Sequence, residues 1–568
     1  MSIRRAPGRR PRSSSALACV LFLVLAGCTT SGAGGARPAY DALVRELERG
    51  RSEAWDRVDD AFLTLPDFTD RLQRLAVLHG RVTDDRDRQS GDLERLADDM
   101  LELYYGDLRA HELRHRLALA AGESDAAAFH RRAADALAAA IEDSGDGSAE
   151  APYAVLSASQ AYAWLEARRT EVVGALYDAK DEAQRLLLVT KVRNGEGEAL
   201  QETRFDLSAS FRARVALAGT DGEPPRPSDL VSTRAELGDP AAQTAYAIRL
   251  WQRGPEYAAP AIRWLQAASE AGNLIAREML GVIYGSLASG REGEEAEELL
   301  EAAVDQFLLA VGQGSSTAMY NLAQLYLSGH FGEENQPAGV ALLRQAADRD
   351  NLDATVMLAR LQYNGQFVPE DVPAAIERLV EASERGHPEA QLFYARHLLE
   401  TDDGAGFDDR ALGWLREAAS AGTQPPAMLL LATLHAEGEH APRDPDAARR
   451  WYRRAAETSP DPELVNSVAW ILTVAEDRAL RDPETGLEII EGLMEGDEEA
   501  ARNPAYLDTW AAAHAANGDF ERAVALQQEA IAIAEDVPEG EALPDYLPIL
   551  REHLELFRGG GTVTEAVP

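Results

Sequence analysis

The chain has 568 residues, of which 45% are hydrophobic and only 7% aromatic, and its formal net charge is -40 at pH 7. This length predicts several domains or one long array, and the apolar content is sufficient for a large core. So negative a chain repels nucleic acid and anionic lipid surfaces, which argues against a nucleic-acid-binding protein and favours a charged, solvated surface or cationic partners.

Residues 1–27 have the composition of an export signal. Five arginines precede the apolar stretch ALACVLFLVLAG at residues 16–27, which is too short to span a bilayer stably. The stretch continues into LAGC, ending at Cys28, which resembles the lipobox of bacterial lipoproteins. The resemblance implies cleavage before Cys28 and lipidation of this cysteine, while Thr29 favours the outer membrane, facing the periplasm. Residues 28–37 are then expected to form a lipidated, flexible tether.

The cysteine content limits the chemistry of the mature protein. The chain has two cysteines, Cys19 and Cys28. Cys19 would leave with the signal, and Cys28 would carry lipid. The mature protein would therefore have neither a free thiol nor a disulfide, which excludes thiol catalysis, redox chemistry and cysteine-ligated zinc.

Residues 38–216 are predicted to be a mainly helical region. Apolar residues at helical spacing indicate helices near 40–50, 68–82, 91–104, 108–121, 125–142 and 151–168. Alternating apolar residues then flank Asn194-Gly195, a frequent two-residue turn, and predict a small β-hairpin near residues 186–207. The Pro- and Gly-rich stretch at residues 217–232 is predicted to be a linker.

The segment HELRH, which begins at His111, matches the HExxH pattern of zinc peptidases. On a helix, His111 and His115 would lie one turn apart and could bind zinc, with Glu112 as a general base. Arg114 counts against this site because it would place a positive charge close to a divalent cation. His130, the conceivable third ligand, lies on the next predicted helix. We therefore favour a partly exposed amphipathic helix without a metal.

Internal repeats are the strongest pattern in the chain. Similar segments begin at Gly238, Gly272, Gly314, Asp350, Gly386, Gly422 and Thr458. Each contains two stretches with apolar residues at helical spacing, and small residues such as Ala323 and Ala346 recur at fixed positions, where they would let helix backbones approach closely. One helix pair cannot bury its apolar stripe alone, so the stacked pairs predict a solenoid.

The second stretch of two units carries the pattern A-x-x-W-L-x-x-A-x-x-x-G, from Ala261 to Gly272 and from Ala411 to Gly422. Residues 233–458 therefore resemble Sel-one-like repeats, which are longer relatives of the tetratricopeptide repeat. The resemblance implies an all-α fold, a right-handed α-solenoid of helix pairs. The second unit departs from the family pattern, because it is six residues longer and its second helix lacks the tryptophan.

Residues 459–558 continue the helical pattern. The segment around Ala511, Gly518 and Phe520 resembles a tetratricopeptide repeat, because small and aromatic residues fall on that family's usual positions. A closing helix is expected to cap the array, and the tail at residues 559–568 is predicted to be disordered.

No P-loop, nucleophile elbow or dinucleotide fingerprint is present in the sequence, so neither an enzyme nor a cofactor is predicted. We expect a non-catalytic, envelope-anchored scaffold or adaptor that binds a protein or peptide through its solenoid surface. Candidate partner contacts are the polar residues Asn321, Gln324, Arg360 and Arg396. Two alternatives stay open: a zinc-dependent hydrolase that uses HELRH, and a purely structural role in cell-wall or outer-membrane assembly.

Overall fold

The computed structural model describes residues 33–83, 92–195, 198–217, 225–401, 407, 409–496, 499–536 and 545–567. The chain divides into an N-terminal unit, mainly the residues up to Tyr257, and a C-terminal unit, mainly the residues from Ala258 onward. The expected export signal and Cys28 lie outside the described residues. The predicted tether is helical from Ala33 onward.

The N-terminal unit combines helices with one small sheet. Its α-helices are α1 (Ala33–Glu48), α2 (Val58–Leu63), α3 (Phe68–Thr83), α4 (Leu93–Leu103), α5 (Leu108–Ala121), α6 (Ser124–Asp143), α7 (Ala158–Ala167), α8 (Ser208–Leu217), α9 (Pro227–Glu236) and α10 (Pro240–Trp251). Short 3-10 helices lie at Ser52–Arg57 and Pro255–Tyr257. The strands are β1 (Tyr153–Ala154), β2 (Glu171–Lys180), β3 (Arg185–Arg193) and β4 (Gln201–Asp206).

The sheet is larger than the predicted two-stranded hairpin. Its order is β1-β4-β3-β2, with β1 parallel to β4 and the other neighbours antiparallel. The predicted pair corresponds to β3 and β4, but the chain between them continues past Asn194-Gly195 to residue 200. The tight turn lies instead between β2 and β3, where Gln184 has a left-handed φ of 49°. Residues 186–190 of β3 are all buried, so this central strand lacks a simple alternation of polar and apolar residues.

The predicted linker at residues 217–232 is helical from Pro227 onward, where α9 begins. Proline suits the first turn of a helix, and the Asp229 carboxylate accepts a hydrogen bond from the Arg226 backbone N–H at 3.0 Å. The hydroxyl of Ser228 donates to Asp181, in the turn between β2 and β3, at 2.6 Å. These contacts fix the start of α9, so the linker interpretation is wrong for this part of the stretch.

The C-terminal unit consists of helix pairs. Its helices are α11 (Ala258–Glu270), α12 (Leu274–Ser289), α13 (Glu294–Gly312), α14 (Ser316–Leu327), α15 (Gln336–Ala347), α16 (Leu352–Asn364), α17 (Val372–Glu384), α18 (Pro388–Thr401), α19 (Asp409–Ser420), α20 (Pro425–Glu437), α21 (Pro445–Thr458), α22 (Pro462–Val474), α23 (Pro483–Gly496), α24 (Pro504–Ala516), α25 (Phe520–Glu535) and α26 (Leu547–Arg558), with short 3-10 helices at Glu333–Asn335 and Ala500–Arg502. From α12 to α25, each even-numbered helix packs against the odd-numbered helix that follows it. We call the even-numbered members A helices and the odd-numbered members B helices.

The junction between repeats has a recurring local structure. Gly272 and Gly314 have φ angles of 90°, a left-handed conformation that suits glycine after a helix. The next residue caps the following A helix: the side chains of Asn273 and Ser315 accept hydrogen bonds from backbone N–H groups in its first turn. Asp350 takes the same left-handed position with a φ of 67°. The expected junction therefore forms even where aspartate replaces glycine.

The recurring small residues form the contacts between helices. Ala323 of α14 and Ala346 of α15 are completely buried in one core cluster with Leu343. In the longer second repeat, a Cβ atom on Gly281 would lie 2.4 Å from the ring of Phe307 on α13. The glycine therefore makes room for an aromatic side chain of the partner helix. The predicted all-helical solenoid is confirmed for the repeats, with a small sheet confined to the N-terminal unit.

The tail after α26 is ordered rather than disordered. Val563 is buried, and Glu565 pairs in parallel with Ala475 after α22. The Glu565 N–H donates to Val474 at 2.9 Å, and its carbonyl accepts from the Glu476 N–H at 2.8 Å. The disorder prediction was wrong because these partners lie about ninety positions earlier in the chain, where local sequence patterns give no indication of them. Among the described residues, no helix is both long and apolar enough to cross a membrane.

Candidate partner-binding groove

A groove of about 400 Å³ runs along three successive A helices of the repeats. We call it the central groove. Its lining residues are Tyr320, Gln324, Leu327 and Ser328 at α14, Asp353, Met357, Arg360, Leu361 and Asn364 on α16, Gln366 and Phe367 after α16, and Glu389 on α18. Because equivalent helices of neighbouring repeats lie side by side, residues far apart in sequence form one continuous surface.

The central groove contains two of the four predicted contact residues. Gln324 and Arg360 line it and are exposed. Asn321 is partly buried on the same helix as Gln324 and does not line the groove. Arg396 is exposed on α18, also outside the groove lining. The structure thus brings together Gln324 and Arg360 but not the other two.

Charged side chains connect the helices along the groove. Arg360 Nη1 lies 2.8 Å from Glu389 Oε1, which joins α16 to α18. Asp353 Oδ1 lies 3.1 Å from the ring nitrogen Nε2 of His387. Burial raises the pKa of the Tyr320 hydroxyl, which favours the neutral form that can donate a hydrogen bond. The groove therefore offers a guanidinium, two carboxylates, three amides and a phenol at one surface.

Phe367 provides an exposed aromatic ring at the edge of the groove. Its backbone has a left-handed φ of 60°, and 39% of the residue is exposed to solvent. A bulky residue rarely adopts this conformation, which costs free energy. Met357 adds a flexible apolar side chain to the same groove. The combination of aromatic, thioether and polar groups is typical of surfaces that bind peptides.

The sequence also contains a pattern that indicates several groove-lining residues that were not predicted. Asp353, Met357, Arg360 and Asn364 follow one another at helical spacing and therefore lie on one face of α16. The same helical spacing, counted from Arg360 in both directions, indicates the other three residues. Phe367 follows the helix, so helical periodicity gives no indication of its position.

The HELRH segment has another structural role. His111 is completely buried in α5, and its Nε2 atom donates to the Tyr105 carbonyl at 2.9 Å. Its Nδ1 atom lies 2.9 Å from Nδ1 of His130 on α6. His115 Nδ1 donates to the Ala127 carbonyl at 2.8 Å. Both ring nitrogens of His111 are therefore engaged by protein groups, and these three histidines join α5 to α6 and to the segment before α5.

The environment of this cluster favours neutral rings. Burial lowers the pKa of His111 to about 4, and His130 also has a lowered pKa because of burial. Trp55 and Tyr105 pack edge-on against the His111 ring, with centroids 5.3 and 5.5 Å away. Within the described ranges, no group of three or more His, Cys, Asp or Glu side chains is arranged to hold a metal ion. In this arrangement the contact between His111 and His130 occupies the ring nitrogen of His111 that Tyr105 does not engage.

The fold and the groove define a helical-repeat solenoid, a class of protein that suggests an interaction scaffold. The Sel1 repeat family matches residues 257–273, 316–351, 352–387, 388–423 and 425–457. The chain therefore carries Sel1 repeats, and the predicted Sel-one-like repeats are confirmed. Residues 274–315, which include most of the longer second repeat, lie outside the matched segments. The central groove lies on three of the matched repeats. No curated protein matches the chain.

Several solved structures are similar to this chain. A Sel1 repeat protein from Oxalobacter formigenes is 26% identical, with 38% of this chain and 85% of that chain covered and a TM-score of 0.32. A protective antigen of uropathogenic Escherichia coli strains, which displays an SLR fold, is 19% identical over 62% and 82%, with a TM-score of 0.34. Yeast Tom70 is 14% identical over 92% and 95%, with a TM-score of 0.27.

Proposed function

We propose that this protein is a non-catalytic scaffold or adaptor, anchored to an outer membrane through lipid on Cys28 and facing the periplasm. Its central groove would bind a protein or peptide partner. The observation that carries the proposal is the continuous lining of this groove by three successive A helices, with Gln324 and Arg360 exposed in it.

The dimensions and chemistry of the groove support a peptide as its ligand. Its volume of about 400 Å³ lies within the range of about 300–1,000 Å³ that is usual for small-molecule sites, which is enough space for a few side chains of a peptide. Arg360 can exchange its contact with Glu389 for a carboxylate or carbonyl of the partner, because the pair is about half exposed. Arginine and aromatic side chains commonly carry much of the binding energy of an interface.

The hydrolase alternative has less support. Because His111 Nε2 donates to the Tyr105 carbonyl, only Nδ1 could bind zinc, and this atom lies 2.9 Å from His130 Nδ1, so the ion would have to replace the contact between the two rings. Glu112, the proposed general base, is half-buried on α5, and its pKa is raised mainly by burial. The proposal therefore assigns HELRH a role in helix packing.

Affinity capture from detergent-solubilised envelope of the native host tests the proposal. The wild-type chain is compared with the double variant Gln324→Arg/Arg360→Glu, which reverses a charge and adds bulk in the central groove. A double variant on α15, Gln345→Arg/Arg344→Glu, is the matched control, because both residues are exposed and neither lines the groove. We expect a partner that is retained by the control and lost with the groove variant. Equal recovery with all three chains would refute the proposed surface.

Anchoring has a separate test. Cys28→Ser removes the thiol that lipidation requires, so we expect the variant protein to leave the membrane fraction. Continued membrane association at the wild-type level would contradict the lipid anchor without affecting the proposed groove.

A further inference from the structure

A second groove lies near the C-terminal end of the C-terminal unit. Its volume is about 580 Å³, and we call it the C-terminal groove. Its lining residues are Asn466, Ser467, Trp470 and Ile471 on α22, Ala505, Asp508 and Thr509 on α24, Tyr546, Ile549 and Leu550 at α26, and Glu565, Ala566 and Val567 in the tail. Local sequence patterns give no indication of this groove, because the tail, which was predicted to be disordered, forms one of its sides.

The tail is fixed by backbone pairing, a side-chain hydrogen bond and apolar packing. Its backbone pairs with Val474 and Glu476, as described above. The Arg481 guanidinium donates to the Thr564 hydroxyl at 2.9 Å, and Val567 packs against the neighbouring core clusters. The tail therefore forms one ordered wall of the groove, and this wall holds the Glu565 side chain next to the groove.

The polar atoms at this groove are mainly acceptors. Glu565 Oε2 accepts a hydrogen bond from the Trp470 indole at 3.1 Å, and its other oxygen has no hydrogen-bond partner among the described residues. Asp508 lies on the opposite wall, where its carboxylate accepts from Gln527 and from His553. The Asn466 Oδ1 atom is buried and accepts no hydrogen bond from the described part of the chain. Among the described residues that line the groove, none is basic.

Apolar surface accompanies these acceptors. Tyr546 is 43% exposed and Ile549 is 51% exposed, although both are large hydrophobic residues. Trp470 connects the two acidic walls, because its indole contacts Glu565 and its ring lies 5.9 Å from the His553 ring, which pairs with Asp508. Such an aromatic ring next to carboxylates favours a cation with an alkyl stem.

We propose that the C-terminal groove binds a lysine or arginine side chain presented by an apolar segment of a partner protein. The cationic head would interact with the Glu565 carboxylate, near Trp470. The neighbouring apolar side chains of the partner would cover Tyr546 and Ile549. The negative charge of the whole chain would add attraction for such a segment at long range.

This site differs from the central groove, which carries the Arg360 guanidinium beside its carboxylates, whereas the described lining of the C-terminal groove contains no basic residue. The two grooves can therefore be tested independently. Loss of binding after a change at Arg360 would locate a ligand in the central groove, and loss after a change at Glu565 would locate it in the C-terminal groove. Failure of either proposal leaves the other testable.

Binding of a labelled, acetylated and amidated heptapeptide, Ala-Ala-Leu-Arg-Leu-Ala-Ala, tests the inference with the full chain. A second peptide replaces the arginine with norleucine, which keeps the apolar stem without the charge. We expect the arginine peptide to bind, and Glu565→Gln to weaken it roughly three- to tenfold, as is usual for loss of one charged hydrogen bond. The same variant should leave binding of the norleucine peptide almost unchanged, which isolates the interaction between the two charges.

Matched variants control for general effects. Glu529→Gln removes one exposed carboxylate from α25, outside the groove, and should not weaken binding. Ile549→Ser should weaken both peptides, whereas Leu308→Ser, at a residue of similar exposure on α13, should weaken neither. Equal binding of both peptides to the wild type, no binding of either, or sensitivity to Arg360→Ala but not to Glu565→Gln would each overturn the proposal.

Discussion

The two units of the chain are stabilised in different ways. In the N-terminal unit, Phe62 packs against Tyr40, Phe68 and Tyr104 in contacts that occur once. In the C-terminal unit, buried alanines such as Ala323 occupy the same position of successive repeats. Repeated contacts leave a pattern in the sequence, whereas single contacts do not. The difference also predicts how far along the chain a destabilising substitution lowers stability, because a repeat contacts mainly its neighbours.

The largest effect is expected from Phe62→Ala. This ring is completely buried among three other aromatic rings, so its loss should cost about 3–5 kcal/mol of local unfolding free energy. Hydrogen exchange measured by mass spectrometry should show faster exchange throughout α2, α3 and the segment around Tyr104. Val77→Ala, at an exposed residue of α3, is the control. Faster exchange in only the turn around residue 62 would show that this unit is not the cooperative cluster we describe.

A somewhat smaller and more confined effect is expected from Leu343→Ala. Leu343 is buried in the core between α14 and α16, so the cavity should cost about 2–5 kcal/mol. Exchange should accelerate from α14 to α16 and remain unchanged in α20 to α25. Acceleration along the whole C-terminal unit would contradict nearest-neighbour stabilisation.

Lowering the pH should lower the unfolding free energy of the N-terminal unit, because His111 is buried as a neutral ring. The pKa of this residue is lowered from its ordinary value of 6.5 to about 4 by burial. The resulting stabilisation is fully present above pH 6.5 and decreases as the pH falls toward 4, because the unfolded chain takes up the proton first. The slope is at most about 1.4 kcal/mol per pH unit.

Protection factors of α5 between pH 7 and pH 4.5 measure this dependence. His111→Gln removes the titrating ring, so its protection should fall less over the same interval than that of the wild type. Equal slopes for the two proteins would show that another group causes the effect.

The smallest effect is expected from Asn351→Ala. The Asn351 side chain accepts from the Ala354 N–H at 2.8 Å and caps α16, so its loss should cost about 1 kcal/mol. Asn351→Ser retains an acceptor at the same position and should recover most of the stability. Local hydrogen exchange in the first turn of α16 provides the measurement, and equal effects of the two substitutions would argue against capping.

Sequence patterns were sufficient where structure is local or repeated. Helical spacing found the helix pairs, and Gln324 and Arg360 were found because they lie on exposed faces of successive A helices. Phe367 and Glu389 were missed, because one follows a helix and the other enters the groove from the next repeat. Glu565 was placed in a disordered tail, because its pairing with residue 475 is long-range. Non-local contacts thus account for most of what the sequence did not predict.

The central claim is that the central groove of the Sel1 repeats is the surface that contacts a partner. A photo-crosslinking amino acid in place of Gln324, introduced in the native host, measures this contact directly. Gln345, which is exposed on α15, is the reference position. We predict a discrete crosslinked product from position 324 and none from position 345. Products of the same kind from both positions, or none from position 324, would contradict the account.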